Sequence, residues 1–507
     1  MDAPLKATTP LQESRQFISD TYTVWASLQK IVEEYESTAP TSGFRIGRSV
    51  PEPPPPEQVQ YYGRVCGLYR ETIAKQLPVV KADPNLTPQA KAATLSHYAT
   101  MHGILALAQI LYFPSDGRGE GLVGEELLDW VNTIDRAPSA EEGAELSQLS
   151  TPWDSPTFFP YLTRCLLRGH LSSASALLSL LSTTHPSPFL QKAAGHFATL
   201  VSTYPRSPSF RTEPAFLSAL RAWKSNLAAS TKALTALFSP SSSSTDPALD
   251  ADDRAEWVTF LSSLLDILSG RSASLLDQSD DWREALAAWG LWVNPGSLRR
   301  EDLPTLLGEV IAKDLPVDQT LEDEVAQVAL LTGDVAGVLK ALTSGGFAWL
   351  ATHLADLLAH LHLPAFDAPE VPLRLSAGMD EDTPGGAKAG EEEDEMPLGL
   401  REHFLLDWAE RLTVDDEGLW RVSCEYWGAC GAEGRRRARA LLKTVRLDED
   451  ASVEGQGEVA MDVEGAGEGE AGKEGKQRKE RKTRRVEEVL RVCADLGLEE
   501  EMVGICQ

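Results

Sequence analysis

Three patterns in the sequence have the residue types and spacing for chemistry. Gly119-Glu-Gly121-Leu-Val-Gly124 matches G-x-G-x-x-G, the spacing that lets backbone amides at a helix start hold a pyrophosphate when a β-strand leads into it. Here a helical pattern and Pro114 come first, so an interhelical loop is expected. Gly467-Glu-Gly-Glu-Ala-Gly472-Lys473 approaches a phosphate-binding loop, but Glu474 stands where a magnesium-binding Ser or Thr is required, and the loop's own carboxylates repel phosphate. Low-complexity sequence is the expectation there. His353, His360 and His362 lie near one another, yet His353 and His360 share a stretch with an apolar stripe, and no Glu or Cys completes a ligand set. Packing or partial exposure is expected of them. Cys66, Cys165, Cys424, Cys430, Cys493 and Cys506 are scattered without a CxxC pair, which indicates neither a disulfide framework nor a zinc knuckle and fits a reducing compartment. The sequence also lacks a G-x-S-x-G elbow, an H-E-x-x-H helix and a catalytic cysteine context. No residue is therefore assigned a catalytic, cofactor-binding or metal role, the binding residues stay unassigned, and neither a cofactor nor a small-molecule ligand is expected.

The elements that would have to position such residues are helices. Phe158, Leu162, Cys165, Leu166 and Gly169 fall at i, i+4, i+7, i+8 and i+11, which draws one apolar stripe down a helix. Trp257, Phe260, Leu261, Leu264, Leu265 and Leu268 repeat it, as do Leu350, Leu354, Leu357, Leu358 and Leu361, and again Phe404, Leu405, Trp408 and Leu412. Period-two tracts are nearly absent, the nearest being Val371 to Leu375. The predicted class is all-α. Gly169 and Gly333 each sit between two apolar helical patterns, where a left-handed glycine ends one helix cheaply and Leu171 or Val335 opens the next. Both segments therefore read as antiparallel helical hairpins. No fixed repeat period accompanies them, which points to an irregular solenoid of helix pairs rather than a regular array. Trp282, Trp289 and Trp292 are expected in the core, because large apolar residues at helical spacing usually face inward.

Composition bounds the partners. The chain has 507 residues, 42% of them hydrophobic, enough for two or three domains or one helical stack. Its formal net charge of −29 repels a phosphate backbone, so direct nucleic-acid binding is not expected and proteins are the expected partners. The amino terminus lacks a signal-peptide pattern, and the strongly apolar stretch from Gly103 to Phe113 is too short to span a bilayer. Four segments break the helical pattern: the polyproline run Pro51 to Pro56, Ser239 to Asp253, the acidic Ala377 to Pro397, and the low-complexity Asp448 to Lys482. All four are expected to be disordered loops within one architecture. The polyproline run is read as a stiff connector before an SH3 or WW ligand. The basic run Lys476 to Arg485 is read as a solvated linker before a nuclear-import or histone contact.

Several stretches carry a resemblance, in order along the chain: Leu127-Leu-Asp-Trp130-Val131, the hairpin from Leu166 to Ser179, Phe347-Ala-Trp349-Leu-Ala-Thr-His353-Leu-Ala-Asp356-Leu-Leu358, Leu419-Trp420 to Cys430, and Val486 to Cys493 on to Ile505-Cys506. Together they resemble the nucleoporin 85 family, outer-ring scaffold proteins of the nuclear pore Y complex, from roughly residue 14 to the carboxyl end. The resemblance implies an ancestral coatomer element, a helical solenoid that folds back as trunk, crown and tail. Fitted to this sequence it places the first trunk helices at 1–150, crown helices at 155–330, returning trunk at 331–447, a linker at 448–484 and the start of a tail at 485–507.

The implied function is architectural: a scaffold at the nuclear envelope, touching the membrane only peripherally, that supports mRNA export and protein import. Its partners are other outer-ring scaffold nucleoporins, met through crown and tail. The family also completes a small WD-repeat propeller of the Seh type by strand addition. Only about a dozen residues precede the helix expected near Leu11, too few for three strands, so propeller binding is not carried over with the rest. The tail is shorter than the family's and is expected to be incomplete. A coatomer-like vesicle or vacuolar coat component and a helical-repeat adaptor are the competing readings.

Overall fold

A computed structural model describes residues 13–38, 53–239, 248–313, 315–367, 398–444, 483–484 and 486–498. Among them there is no β-strand, and the chain divides into two compact units, Met1–Phe347 and Ala348–Gln507. The fold is an all-α solenoid built largely of antiparallel helix pairs. No helix of the described residues is long and apolar enough to cross a membrane.

The first unit contains α1 (Arg15–Thr38), α2 (Pro56–Ala82), α3 (Pro88–Tyr112), α4 (Gly124–Ile134), α5 (Ala140–Gln148), α6 (Phe158–Leu167), α7 (Leu171–Thr184) and α8 (Pro188–Ser202). It continues with α9 (Glu213–Phe238), α10 (Ala251–Leu268), α11 (Ser272–Gln278), α12 (Trp282–Ala288), α13 (Leu303–Ile311), α14 (Glu322–Thr332) and α15 (Val335–Ser344). Local chemistry sets many of the starts. Thr87, Ser187, Asp250, Asp281 and Asp334 each accept a backbone amide of the following turn, and Ser139 with Glu142 forms a reciprocal capping box. Pro56, Pro88 and Pro188 occupy first helical positions, where the missing N–H costs nothing.

The two predicted hairpin turns form. Gly169 and Gly333 have φ of +68° and +76°. At the first, His170 N donates to Cys165 O and Gly169 N to Leu166 O; at the second, Asp334 N donates to Ala329 O and Gly333 N to Leu330 O. This is the crossed pair of bonds that closes a helix on a left-handed residue. Packing then runs α1 on α2, α2 on α3, α3 on α4, α7 on α8 and α14 on α15. The chain also turns back on itself: α12 packs on α4 and α6, and α14 on α3, where Tyr112 Oη donates to Leu330 O at 3.0 Å across 218 residues of sequence.

The second unit holds α16 (Ala348–Ala359), α17 (Pro364–Asp367), α18 (Leu400–Asp415), α19 (Trp420–Gly428), α20 (Gly431–Thr444) and a helical stretch at 486–495. α16 is buried from Trp349 through Leu358, on every face rather than along one stripe. It packs on α18, α18 on α19 and α19 on α20, while Leu496 lies against Gly428 at the end of α19.

Three sequence expectations need correction. Within the polyproline run Pro55 is extended (φ −63°, ψ 153°), but Pro56 already belongs to α2, because proline's fixed φ suits a first helical turn. Residues expected to close the loop 239–253 open α10 instead: Asp250 caps it, and Asp252 and Asp253 sit where the helix amides favour carboxylates. The first helix begins at Arg15 rather than near Leu11, with the Ser14 hydroxyl accepting Phe17 N. The expectations for 371–375, 377–397, 448–482 and the phosphate-loop-like 467–473 lie outside the described residues, as does most of the basic run 476–485.

Candidate assembly sites and the polar centres that fix them

The glycine pattern at 119–124 lies in the connection from α3 to α4 and holds cations rather than phosphate. Arg300 Nη1 donates to the carbonyls of Gly119 and Gly121 at 3.2 and 3.4 Å, and its Nε donates to Ile110 O at 2.6 Å. Arg299 Nη1 donates to Glu120 O at 2.7 Å, with Glu213 accepting the rest of the guanidinium. The loop therefore presents carbonyls inward, the opposite polarity from an anion cradle. Gly124 has a packing role: a Cβ there would meet Gly290 O at 2.7 Å, and a Cβ on Gly290 would meet Gly124 Cα at 2.5 Å. Gly290 lies in a π-helical turn, Trp289–Val293, that extends α12, so two backbones touch where neither can carry a side chain.

The same unit holds a buried ionic centre that no sequence pattern marks. Arg168 and Glu284 are 2% and 0% exposed. Arg168 Nε donates to Glu284 Oε1 at 2.6 Å and Nη2 to Asp135 Oδ2 at 2.5 Å, while Nη1 reaches Asp135 O at 3.3 Å. Glu284 also accepts Asp280 N at 2.9 Å and has Arg164 Nε at 3.5 Å. Burial pushes the Glu284 carboxyl above its usual range, against the opposing pull of Arg168 and Arg164. A second arginine, Arg206, is forked onto Glu125 of α4 and donates from Nη1 to Gly169 O at 2.9 Å. These residues are far apart in sequence and carry no motif. The signal for Glu284 is a charged residue among the apolar positions of a short helix that opens on Trp282.

Indoles supply a second kind of fastener. Trp130 Nε1 donates to Gly103 O, Trp223 Nε1 to Leu200 O and Trp292 Nε1 to Leu166 O, each at 2.9 Å. Trp282 Nε1 donates to Glu324 Oε2 at 3.2 Å. Trp282, Trp289 and Trp292 are all buried, as the spacing predicts. A buried indole needs a hydrogen-bond acceptor, and here the acceptor is on another helix in each case.

In the second unit the histidines separate. His353 is buried on α16 and neutral: burial pulls its pKa down to about 4. Its Nδ1 donates to Trp349 O at 2.7 Å, which leaves Nε2 to accept from Tyr426 Oη at 2.9 Å. His360 faces Asp356 at 3.8 Å, and His362 is exposed. Burial alone would raise Asp356, but Arg401, whose Nε donates to Oδ1 at 2.7 Å, and His360 outweigh it and hold the carboxyl below its usual range. Among the described residues no group of three or more His, Cys, Asp or Glu is placed to hold a metal ion. Burial pushes the thiols of Cys66, Cys165, Cys424 and Cys430 up to about 12, which makes them poor nucleophiles.

Paired helices with internally satisfied polar centres define a class: an α-solenoid scaffold whose buried charge locks helix against helix. The family model of the Nup85 nucleoporins matches residues 5–463, and the chain belongs to that family. It is thus a nuclear pore scaffold nucleoporin, a component of the pore complex at the nuclear envelope. The chain is 24% identical over 399 residues to nucleoporin nup85 of Schizosaccharomyces pombe, an alignment covering 77% of this chain and 52% of the relative. It spans about half the length of the curated relative it matches.

Proposed function

We propose that this chain is a non-enzymatic outer-ring subunit of the nuclear pore Y complex, which supports mRNA export and protein import by holding other scaffold nucleoporins in place. The observation that carries the reading is the family match across residues 5–463 of an all-helical chain. In this reading residues 155–330 form a crown that meets the crown of a neighbouring scaffold nucleoporin. Residues 1–150 and 331–447 serve as trunk, and the helix at 486–495 begins the tail. The contact is hydrophobic helix against hydrophobic helix, with a few large side chains dominating its energy. Support for a mechanical role comes from two buried polar centres, Arg168–Glu284 and His353–Tyr426, whose hydrogen bonds hold one helix to another.

The test is co-elution. Mixed at micromolar concentration with the crown region of its nucleoporin neighbour, the purified chain should elute as one stable complex on size exclusion. Separate elution would overturn the reading. Fluorescent tagging discriminates the competing coat-protein reading: signal at the nuclear rim supports the proposal, and signal on endomembranes refutes it.

A further inference from the structure

We infer that the cleft between α6, α10 and the end of α11 docks an extended, arginine-bearing segment of a partner protein. The cleft has a volume of about 610 Å³ and is lined by Phe159, Phe260, Tyr161, Glu142, Asp277 and Asp280 among others. Phe159 and Phe260 stack with centroids 4.1 Å apart and planes 24° from parallel, and Trp257 braces Phe159 edge-on at 4.9 Å. Both phenylalanines stay half-buried, although Trp257, Leu261 and Leu264 beside Phe260 on α10 are fully packed. The stack is therefore rigidly backed on one side and open on the other.

Charge names the occupant. Three carboxylates line the cleft against one guanidinium, Arg164, which is engaged by Asp280 and Glu284. Among the described residues no Lys or Arg pairs with Glu142 or Asp277; the first accepts Ser139 N in its capping box and the second accepts Gln278 Nε2. Flat aromatic faces beside unneutralised carboxylates suit a planar guanidinium, which stacks and forks at once, better than the compact, strongly hydrated ammonium of lysine. Pro138, Pro156 and Pro160 on the same walls make the cleft stiff and poor in backbone donors. Such a wall grips a side chain or a proline ring rather than adding a strand. Most of the cleft, including Phe159, Phe260, Asp277 and Asp280, lies within the crown span proposed above, and it is tested on the purified chain alone, so its outcome does not depend on the crown-to-crown contact.

The probe is a fluorescein-labelled peptide of five Arg-Pro repeats, titrated with the full chain and followed by anisotropy at about 0.15 M salt, where long-range attraction is largely screened. Five Lys-Pro repeats and five Glu-Pro repeats serve as comparisons. The arginine peptide should bind saturably, about ten-fold or more tighter than the lysine peptide, since only the guanidinium can stack and fork. Asp277→Lys should weaken it about ten-fold or more. That exposed residue lies in the last turn of α11, where a cation suits the helix end and the fold is retained. Phe260→Leu, which keeps an apolar side chain but removes the flat face, should weaken arginine binding without changing the lysine peptide. Equal affinity for the two basic peptides, or indifference to Asp277→Lys, would mean that the acidity of the whole chain captures cations and would overturn the inference. Absence of binding would overturn it too.

Discussion

Replacing Arg168 by methionine removes one half of the ionic centre that ties α6 to α12 and leaves the other half buried. The substitution deletes the bond to Glu284 Oε1 at 2.6 Å and two bonds to Asp135, and strands a carboxylate that is 0% exposed. Breaking a buried pair from one side costs about 3–5 kcal/mol, because the remaining charge keeps its desolvation penalty without its partner. Arg164, 3.5 Å from Glu284 and shared with Asp280, offsets part of this, so the expected loss at pH 7 is about 3 kcal/mol. Urea unfolding followed by far-ultraviolet circular dichroism measures it, with the slope compared between variants to confirm that the same surface unfolds. The sign with pH follows from Glu284. Its folded-state pKa is raised, so the neutral acid is favoured by the fold, and stability associated with it is lost as pH rises through the folded value. Without Arg168 that raise grows, and the gap between variant and parent should narrow from pH 7 to pH 5. The double replacement Arg168→Met with Glu284→Met removes both charges and should lie within about 1 kcal/mol of the parent or exceed it. A single variant that loses less than about 1 kcal/mol, or a double variant as unstable as the single, would refute the claim that charge here acts as an interlocked pair.

Gly290→Ala should cost about 1–3 kcal/mol by forcing the π-turn off α4, since its Cβ would sit 2.5 Å from Gly124 Cα. Gly333→Ala meets open space and should cost only about 1–2 kcal/mol, the strain of a side chain at φ +76°; thermal denaturation of the two side by side checks the order. Tyr426→Phe leaves His353 Nε2 without this donor and should cost about 1–3 kcal/mol, read by urea unfolding. His353 itself has a lowered folded pKa, so the unfolded chain takes up the proton first. Stability should therefore fall as pH drops from the ordinary value of 6.5 toward about 4. Asp356, held below its usual value of 3.8, adds a loss only at still lower pH, and a pH series on His353→Gln separates the two.

Helical stripes are readable because their period is set by geometry that every helix shares, so the spacing of apolar residues alone marks α6, α10, α16 and α18. The glycine turns at 169 and 333 were readable for a similar local reason: few residues other than glycine enter the left-handed region without strain. Composition alone misplaces the loop limits at Pro56 and Asp250, because capping chemistry decides where a helix starts. Nothing local marked Arg168 with Glu284, or Trp292 with Leu166. Such pairs are fixed by where distant helices meet, and one sequence without its fold does not record that. The Phe159–Phe260 stack fell in the same gap, although both residues sat in helical stretches that periodicity had already singled out.

The bond from Tyr112 to Leu330 has a practical corollary for anyone who cuts the gene. α3 and α14 cover each other, so a fragment that stops short of residue 332 leaves part of α3 bare and greasy, and a fragment that starts after residue 112 does the same to α14. Soluble pieces should be sought by keeping both ends of that clasp and trimming between the units, after Phe347, rather than by dividing the long first unit at any of its surface turns.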